Sequence, residues 1–276
     1  AWQRQGREST GLAIHQATRS GEATKAKPMR VLFRLPKEGQ PFDRLTAGLG
    51  EPDSLLEGAR AFWRGWKQTS DPVRWSAPGR HGEFLGACSR NILQAREEKE
   101  GRLTFQVGPT CYRGLWIVDG NFLLEAARYL GFDREAQQGL EATWACQQED
   151  GAVVAAVKQG HWKDTGIAMF SLVRQAELSG DWEYFRKMQP EVLRAVRYLD
   201  GLRVRARGEG SANGRYGLLA RGFCDGGVAG WRSEFTNTLW VLAGLKAVMA
   251  ASRRSGTDCP GEVSRLHAEL DASCRG

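Results

Sequence analysis

The period of the apolar positions changes near residue 52. Residues 29–35, Met-Arg-Val-Leu-Phe-Arg-Leu, make a short extended run that Pro36 closes, and Gly39, Pro41 and Gly48 mark a loop behind it. From Pro52 the spacing is helical: Leu55, Leu56, Ala59, Phe62, Trp63 and Trp66 recur every three or four positions, with Asp53 placed to cap the start. The same spacing predicts helices over about 81–98, 119–130, 133–148, 163–178, 181–207 and 234–252, and an eighth opened by Cys259-Pro260-Gly261. Residues 1–27 are polar and aperiodic. The chain therefore divides into a disordered or β-type lead-in over 1–50 and a helical domain over 51–276. The fold class this implies is all-α, with a short N-terminal extended segment.

Loop lengths add direction to the pattern. Gly131-Phe132-Asp133 and Ser179-Gly180-Asp181 are tight turns, each ending one helix at glycine and capping the next with aspartate. Between them lie long loops over 99–118, 149–162 and 208–233. In an up-and-down array alternate connections fall at the same end, so the long loops share one rim and the tight turns the other. Function is expected on the elaborated rim.

Each long loop carries a tryptophan and a carboxylate. The first ends with Tyr112, Arg113, Trp116 and Asp119; the second holds Asp150 and closes on Trp162-Lys163-Asp164; the third carries Asp225, Trp231 and Glu234. Sugar rings stack their C–H faces on aromatic planes, and their hydroxyls bond to carboxylates and guanidinium groups. Glycosidic cleavage further needs one carboxylic acid on the leaving oxygen and a second carboxylate on the opposite face. Capping is an equal reading of Asp119, Asp164 and Glu234, which all stand at predicted helix starts.

Composition narrows the alternatives. The net charge is +7, from 39 basic and 32 acidic residues. Much of the excess lies near the start, and no basic run interleaves with aromatics, so no nucleic-acid partner is expected. No apolar run approaches the roughly 20 residues of a membrane span. Six separated cysteines without a CxxC pair and only four histidines point away from zinc and towards thiols in a reducing, cytoplasmic setting.

The stretch Cys111-Tyr-Arg-Gly-Leu-Trp-Ile-Val-Asp-Gly through Gly131 resembles the lead into an inner helix of the six-hairpin glycosidases, the superfamily of glucoamylases, trehalases and α-rhamnosidases. Asp150-Gly151, Lys163-Asp164-Thr165-Gly166 and the block Tyr216–Trp240 resemble its later active-site segments, in order over roughly residues 52–256. The resemblance implies an (α/α)6 toroid, inversion at the anomeric carbon, and no metal or organic cofactor. It places Trp116 and Asp119 on the terminal sugar, with Val118 where the family carries arginine. It puts the general acid in the loop matching 216–235, Asp225 first and Glu234 second. The general base of such enzymes comes from the last hairpins, and eight predicted helices against twelve imply an incomplete barrel with weak or no hydrolysis on its own. Two other readings stay open: a polysaccharide lyase on the same fold, drawing on Tyr112, Tyr216 and His161, and a non-catalytic helical array that binds sugar or protein.

Overall fold

The computed structural model describes residues 52–66, 77–99, 101–108, 112, 114–156, 160–208, 216–223, 230–232 and 234–275. They belong to two compact units, residues 1–67 and 68–276. The extended run predicted at 29–35 lies outside the described residues.

In the first unit the predicted helix forms as α1 (Pro52–Gly65). Proline opens it, where the missing N–H has no helical partner to lose, so Asp53 sits inside the first turn rather than at the cap. Its apolar stripe is exposed at Leu55, Leu56 and Phe62, and Trp63 meets Phe62 and Trp66 edge-on at 5.0 and 5.7 Å.

The second unit begins with α2 (Arg80–Gln94), which is shorter than the predicted helix. Arg96–Lys99 instead forms β1, paired antiparallel with β2 (Arg102–Phe105) so that Arg96 faces Phe105. Arg-Glu-Glu-Lys favours helix locally. The hairpin wins because it buries Phe105, 1% exposed, against Gly139, where an added Cβ would stand 2.9 Å from the ring.

Six helices then build two layers: α3 (Ile117–Tyr129), α4 (Asp133–Trp144), α5 (Lys163–Ser179), α7 (Gln189–Gly208), α8 (Phe235–Ser255) and α9 (Gly261–Arg275), with the short α6 (Trp182–Lys187) before α7. Helices α3, α5 and α8 run parallel. Lys163 N–H donates to Asn237 Oδ1 (3.0 Å) at the start of α5 and α8, and Arg254 meets Glu177 at their far ends. Arg174 bonds Glu125 and Arg128 bonds Gln175 in the C-terminal halves of α5 and α3. Helices α7 and α9 also run parallel to each other, with Arg197–Glu262, Asp200–Arg265 and Arg203–Glu269 in ascending register. They alternate with the first set through the tight turns at 130–132, 180–181 and 256–260.

Helix α5 is the centre of the packing. Ile167, Ala168, Met169 and Leu172 are wholly buried, each large apolar chain contributing about 1.5–3 kcal/mol of transfer free energy. Its contact with α8 is backbone-close at Gly166 and Gly244: a Cβ on Gly166 would lie 2.8 Å from Trp240 O, and one on Gly244 would strike the Gly166 carbonyl. The predicted sixth helix divides at Met188 because Pro190 falls in the first turn of α7, where it starts a helix and cannot continue one. Asp181 caps α6 as predicted, accepting from Tyr184 N–H at 3.0 Å. Asp133 does not cap α4; it is the first helical residue and its carboxylate accepts from Arg128. No described helix is long and apolar enough to cross a membrane.

Candidate functional site

The starts of α5 and α8 bring five of the sequence-selected residues into one cluster. Lys163, 1% exposed, sends its ammonium to 3.7 Å from Glu234 Oε1. A buried ammonium is costly without a carboxylate nearby, and the packing of α5 on α8 brings Glu234 within ion-pair distance. Glu234 is engaged throughout as an acceptor, with the Thr236 hydroxyl at 2.6 Å and the Asn237 amide at 3.4 Å as donors. On the residue after Lys163, the buried Asp164 carboxylate lies 3.3 Å from His161 Nδ1, and the His161 ring lies 6.2 Å from Phe223.

Trp162 is the hub of the aromatic half of the cluster. Its ring meets Trp231 at 5.9 Å and Tyr198 at 6.5 Å, both edge-on, and the Arg205 guanidinium lies 5.0 Å over its face. Its indole N–H donates to Arg221 O at 3.0 Å. The two-residue strands β3 (Gly222–Phe223) and β4 (Trp231–Arg232) pair antiparallel alongside. A Cβ on Gly222 would lie 2.9 Å from the Trp162 ring, so that ribbon rests on the indole. Trp162 is thereby occupied as a support, while Trp231, 46% exposed, offers an open ring.

Asp150 stands beside this cluster. Its carboxylate closes a turn by accepting from Ala152 N–H (3.0 Å), and the next residue, Gly151, has φ +98° and lies so close to the Arg194 carbonyl that only glycine fits. Burial, then the Asp150 charge, pushes the Tyr198 hydroxyl up to about 12, with Arg205 acting the other way. Asp150, Tyr198 and Arg205 thus share one neighbourhood.

A second cluster forms at the start of α3. Tyr112 and Trp116 meet edge-on at 5.3 Å. Tyr112 has φ +54°, a conformation that costs an aromatic residue energy and concentrates at functional sites. The Trp116 indole N–H is buried without a hydrogen-bond partner among the described residues. Asp119 is exposed, on the same α3 face as Phe122, three residues on. Phe122 reaches Trp240 of α8 at 6.5 Å, and Trp240 reaches Phe170 of α5 at 5.8 Å, so the exposed face of the three parallel helices is aromatic. The backbone bond from Ala156 N–H to Leu115 O (3.1 Å) ties the loop of the first cluster to that of the second.

The structure thus joins Trp162, Lys163, Asp164, Trp231 and Glu234, sets Asp150 beside them, and groups Tyr112, Trp116 and Asp119 at the start of the neighbouring helix. Arg113 and Asp225 lie outside the described residues. Capping does not account for the acids: Trp116 and Trp162 occupy the cap positions of α3 and α5, and Glu234 caps α8 without a side-chain capping bond.

Sequence reasoning missed Tyr198, Arg205, Arg221 and Asn237. Tyr198 and Arg205 are seven residues apart, two turns on one face of α7, a spacing that carries the signal once α7 is known to back the rim. Arg221 acts through its carbonyl, which no sequence pattern marks. Neither protein-family models, nor curated proteins, nor solved structures yield a match to this chain.

Proposed function

We propose that this is a carbohydrate-active domain, built as an arc of an α/α toroid, that binds terminal sugars of oligo- or polysaccharides at the rim where α3, α5 and α8 begin. The observation that carries this reading is the open Trp231 ring braced on Trp162 beside the Lys163–Glu234 pair. An apolar plane next to fixed polar groups suits a sugar ring and its hydroxyls. Three parallel helices backed by three opposed ones also match half of a six-hairpin ring.

In this reading hydrolysis proceeds by inversion. An acid protonates the glycosidic oxygen while a carboxylate takes a proton from water on the opposite face, the two carboxyl groups standing roughly 6.5–9.5 Å apart. Glu234, engaged only as an acceptor, suits the base or a positioning role better than proton donation. Asp225 is the proposed acid. Trp231 is the stacking platform, Lys163 fixes Glu234, and Trp116 with Asp119 holds the terminal sugar. The chemistry needs neither metal nor organic cofactor. The lyase alternative is weaker, because His161 is 9% exposed and closed in by Asp164 and Phe223.

Isothermal titration against neutral and acidic oligosaccharides, beside a panel of aryl glycosides, tests the proposal. Binding is expected in the wild type and at least about tenfold weaker in Trp231→Ala, given the usual cost of losing an aromatic anchor. Any turnover is expected to fall roughly 100-fold or more in Asp225→Asn and in Glu234→Gln. Binding without turnover assigns the rim to sugar capture alone. The carbohydrate reading is wrong if Trp231→Ala binds every ligand as the wild type does, or if nothing binds.

A further inference from the structure

We infer that the seam between α3 and α5 is a water-binding site, where at least one ordered water pairs Asn121 with Ser171 and Gln175. This holds whatever the rim binds. Asn121 is 3% exposed, and Ser171 and Gln175 are 1% exposed each. Among the described residues, Asn121 Oδ1 and Nδ2, Ser171 Oγ and Gln175 Nε2 are buried and make no hydrogen bond. Buried amides and hydroxyls are nearly always paired, because an unpaired one gives up its bonds to solvent and regains nothing.

Helix register brings these atoms together. Arg174 of α5 donates to Glu125 of α3, and Arg128 of α3 donates to Gln175 Oε1 of α5, each at 2.8 Å. The two helices run parallel, so the turn before this contact is level in both. Asn121 lies one turn before Glu125 and two turns before Arg128, on the same face of α3. Ser171 lies one turn before Gln175, on the same face of α5. Asn121 and Ser171 therefore face the same seam within about one helical turn, roughly 5.4 Å along the axis. Neither side chain bonds to the other or to a backbone carbonyl. Leu124 and Ala168, a turn away on either helix, are buried and offer an amide nothing.

A water supplies the missing partners. It accepts from an amide N–H while donating to Asn121 Oδ1 or Ser171 Oγ, and a buried water commonly holds about three such bonds. Arg128 already occupies Gln175 Oε1, which fixes that amide and leaves Nε2 as a donor. The groups offered are uncharged and mix donors with acceptors, a set that suits water and not an ion.

A crystal structure of the full chain tests the site directly. The expected result is a water within hydrogen-bonding distance of Asn121 and of Ser171 or Gln175. Asn121 and Ser171 bonded to each other or to backbone, with no water between them, overturns the inference. Oxygen-17 relaxation dispersion, which counts long-lived internal waters, gives a second measurement. The count should be lower in the Asn121→Leu/Ser171→Ala double variant than in the wild type, and an equal count overturns the inference. Each single substitution should lower the urea midpoint by stripping the water of a partner. The double variant should lose less than the sum of the two, because the water leaves only once. A midpoint that rises in either single variant shows that the replaced atom had no water to lose, which also overturns the assignment.

Discussion

At the residue scale the sharpest constraint is the close approach of α5 and α8. Gly244→Ala drives a methyl into the Gly166 carbonyl, and backbone cannot yield as a flexible side chain can. It should destabilise the protein by about 1–3 kcal/mol in urea denaturation. Gly201→Ala, in α7 with nothing within 4 Å of its added Cβ, should instead stabilise by about 0.4–1 kcal/mol. Equal effects at the two positions would show that α5 and α8 are not in backbone contact. Two half-buried tyrosines give a second test. Burial first, then nearby carboxylates, moves Tyr184 and Tyr198 from the usual 10.0 to about 12. The folded hydroxyls keep their protons where the unfolded ones lose them, so stability is full below pH 10 and is lost as pH rises through 12. Urea midpoints measured at stepped alkaline pH should fall across that window, and midpoints flat to its upper end would contradict the partial burial of both tyrosines.

Trp162, Lys163, Asp164, Trp231 and Glu234 were legible in the sequence as one group, because tryptophan and acid recur at the ends of its long loops and the starts of α5 and α8 bring these five together. Two distinctions were not. Trp162 is a support and Trp231 an open platform, a difference set by Arg221 O and Arg205, which arrive from distant segments. Glu234 stands where a capping residue stands, yet its carboxylate lies 3.7 Å from the Lys163 ammonium, a partner that only the packing of α5 on α8 brings near.

Among the elements, periodicity placed the helices of the second unit well because their apolar faces meet one core. It failed where another force decided. Residues 96–99 left the helix to let Phe105 reach Gly139, and α6 and α7 separated at Pro190. The element that most directly serves the site is the loop 216–223. Arg203, 3% exposed on α7, donates to Gly217 O at 3.0 Å while pairing with Asp200 and Glu269. That loop in turn supplies Arg221 O to Trp162. Arg203→Met should cost about 1–3 kcal/mol by leaving buried acceptors unsatisfied. It should also raise amide exchange across 216–223 and weaken sugar binding. A variant with lowered stability but unchanged exchange in that loop would mean the arginine serves only α7 and α9.

For the second unit taken whole, the alternation of tight turns and long loops was enough to anticipate that α3, α5 and α8 start at one end. Helix directions follow from chain connectivity, which a sequence displays. The meeting of Phe122 and Phe170 on Trp240 follows from side-chain packing, which it does not. The central claim is that this rim holds a sugar. A crystal structure of the protein soaked with the tightest-binding oligosaccharide tests it most directly. The account predicts a sugar ring stacked on Trp231 with a hydroxyl or the scissile oxygen in hydrogen-bonding reach of Glu234. A sugar seated elsewhere, with Trp231 and Glu234 untouched, would contradict it.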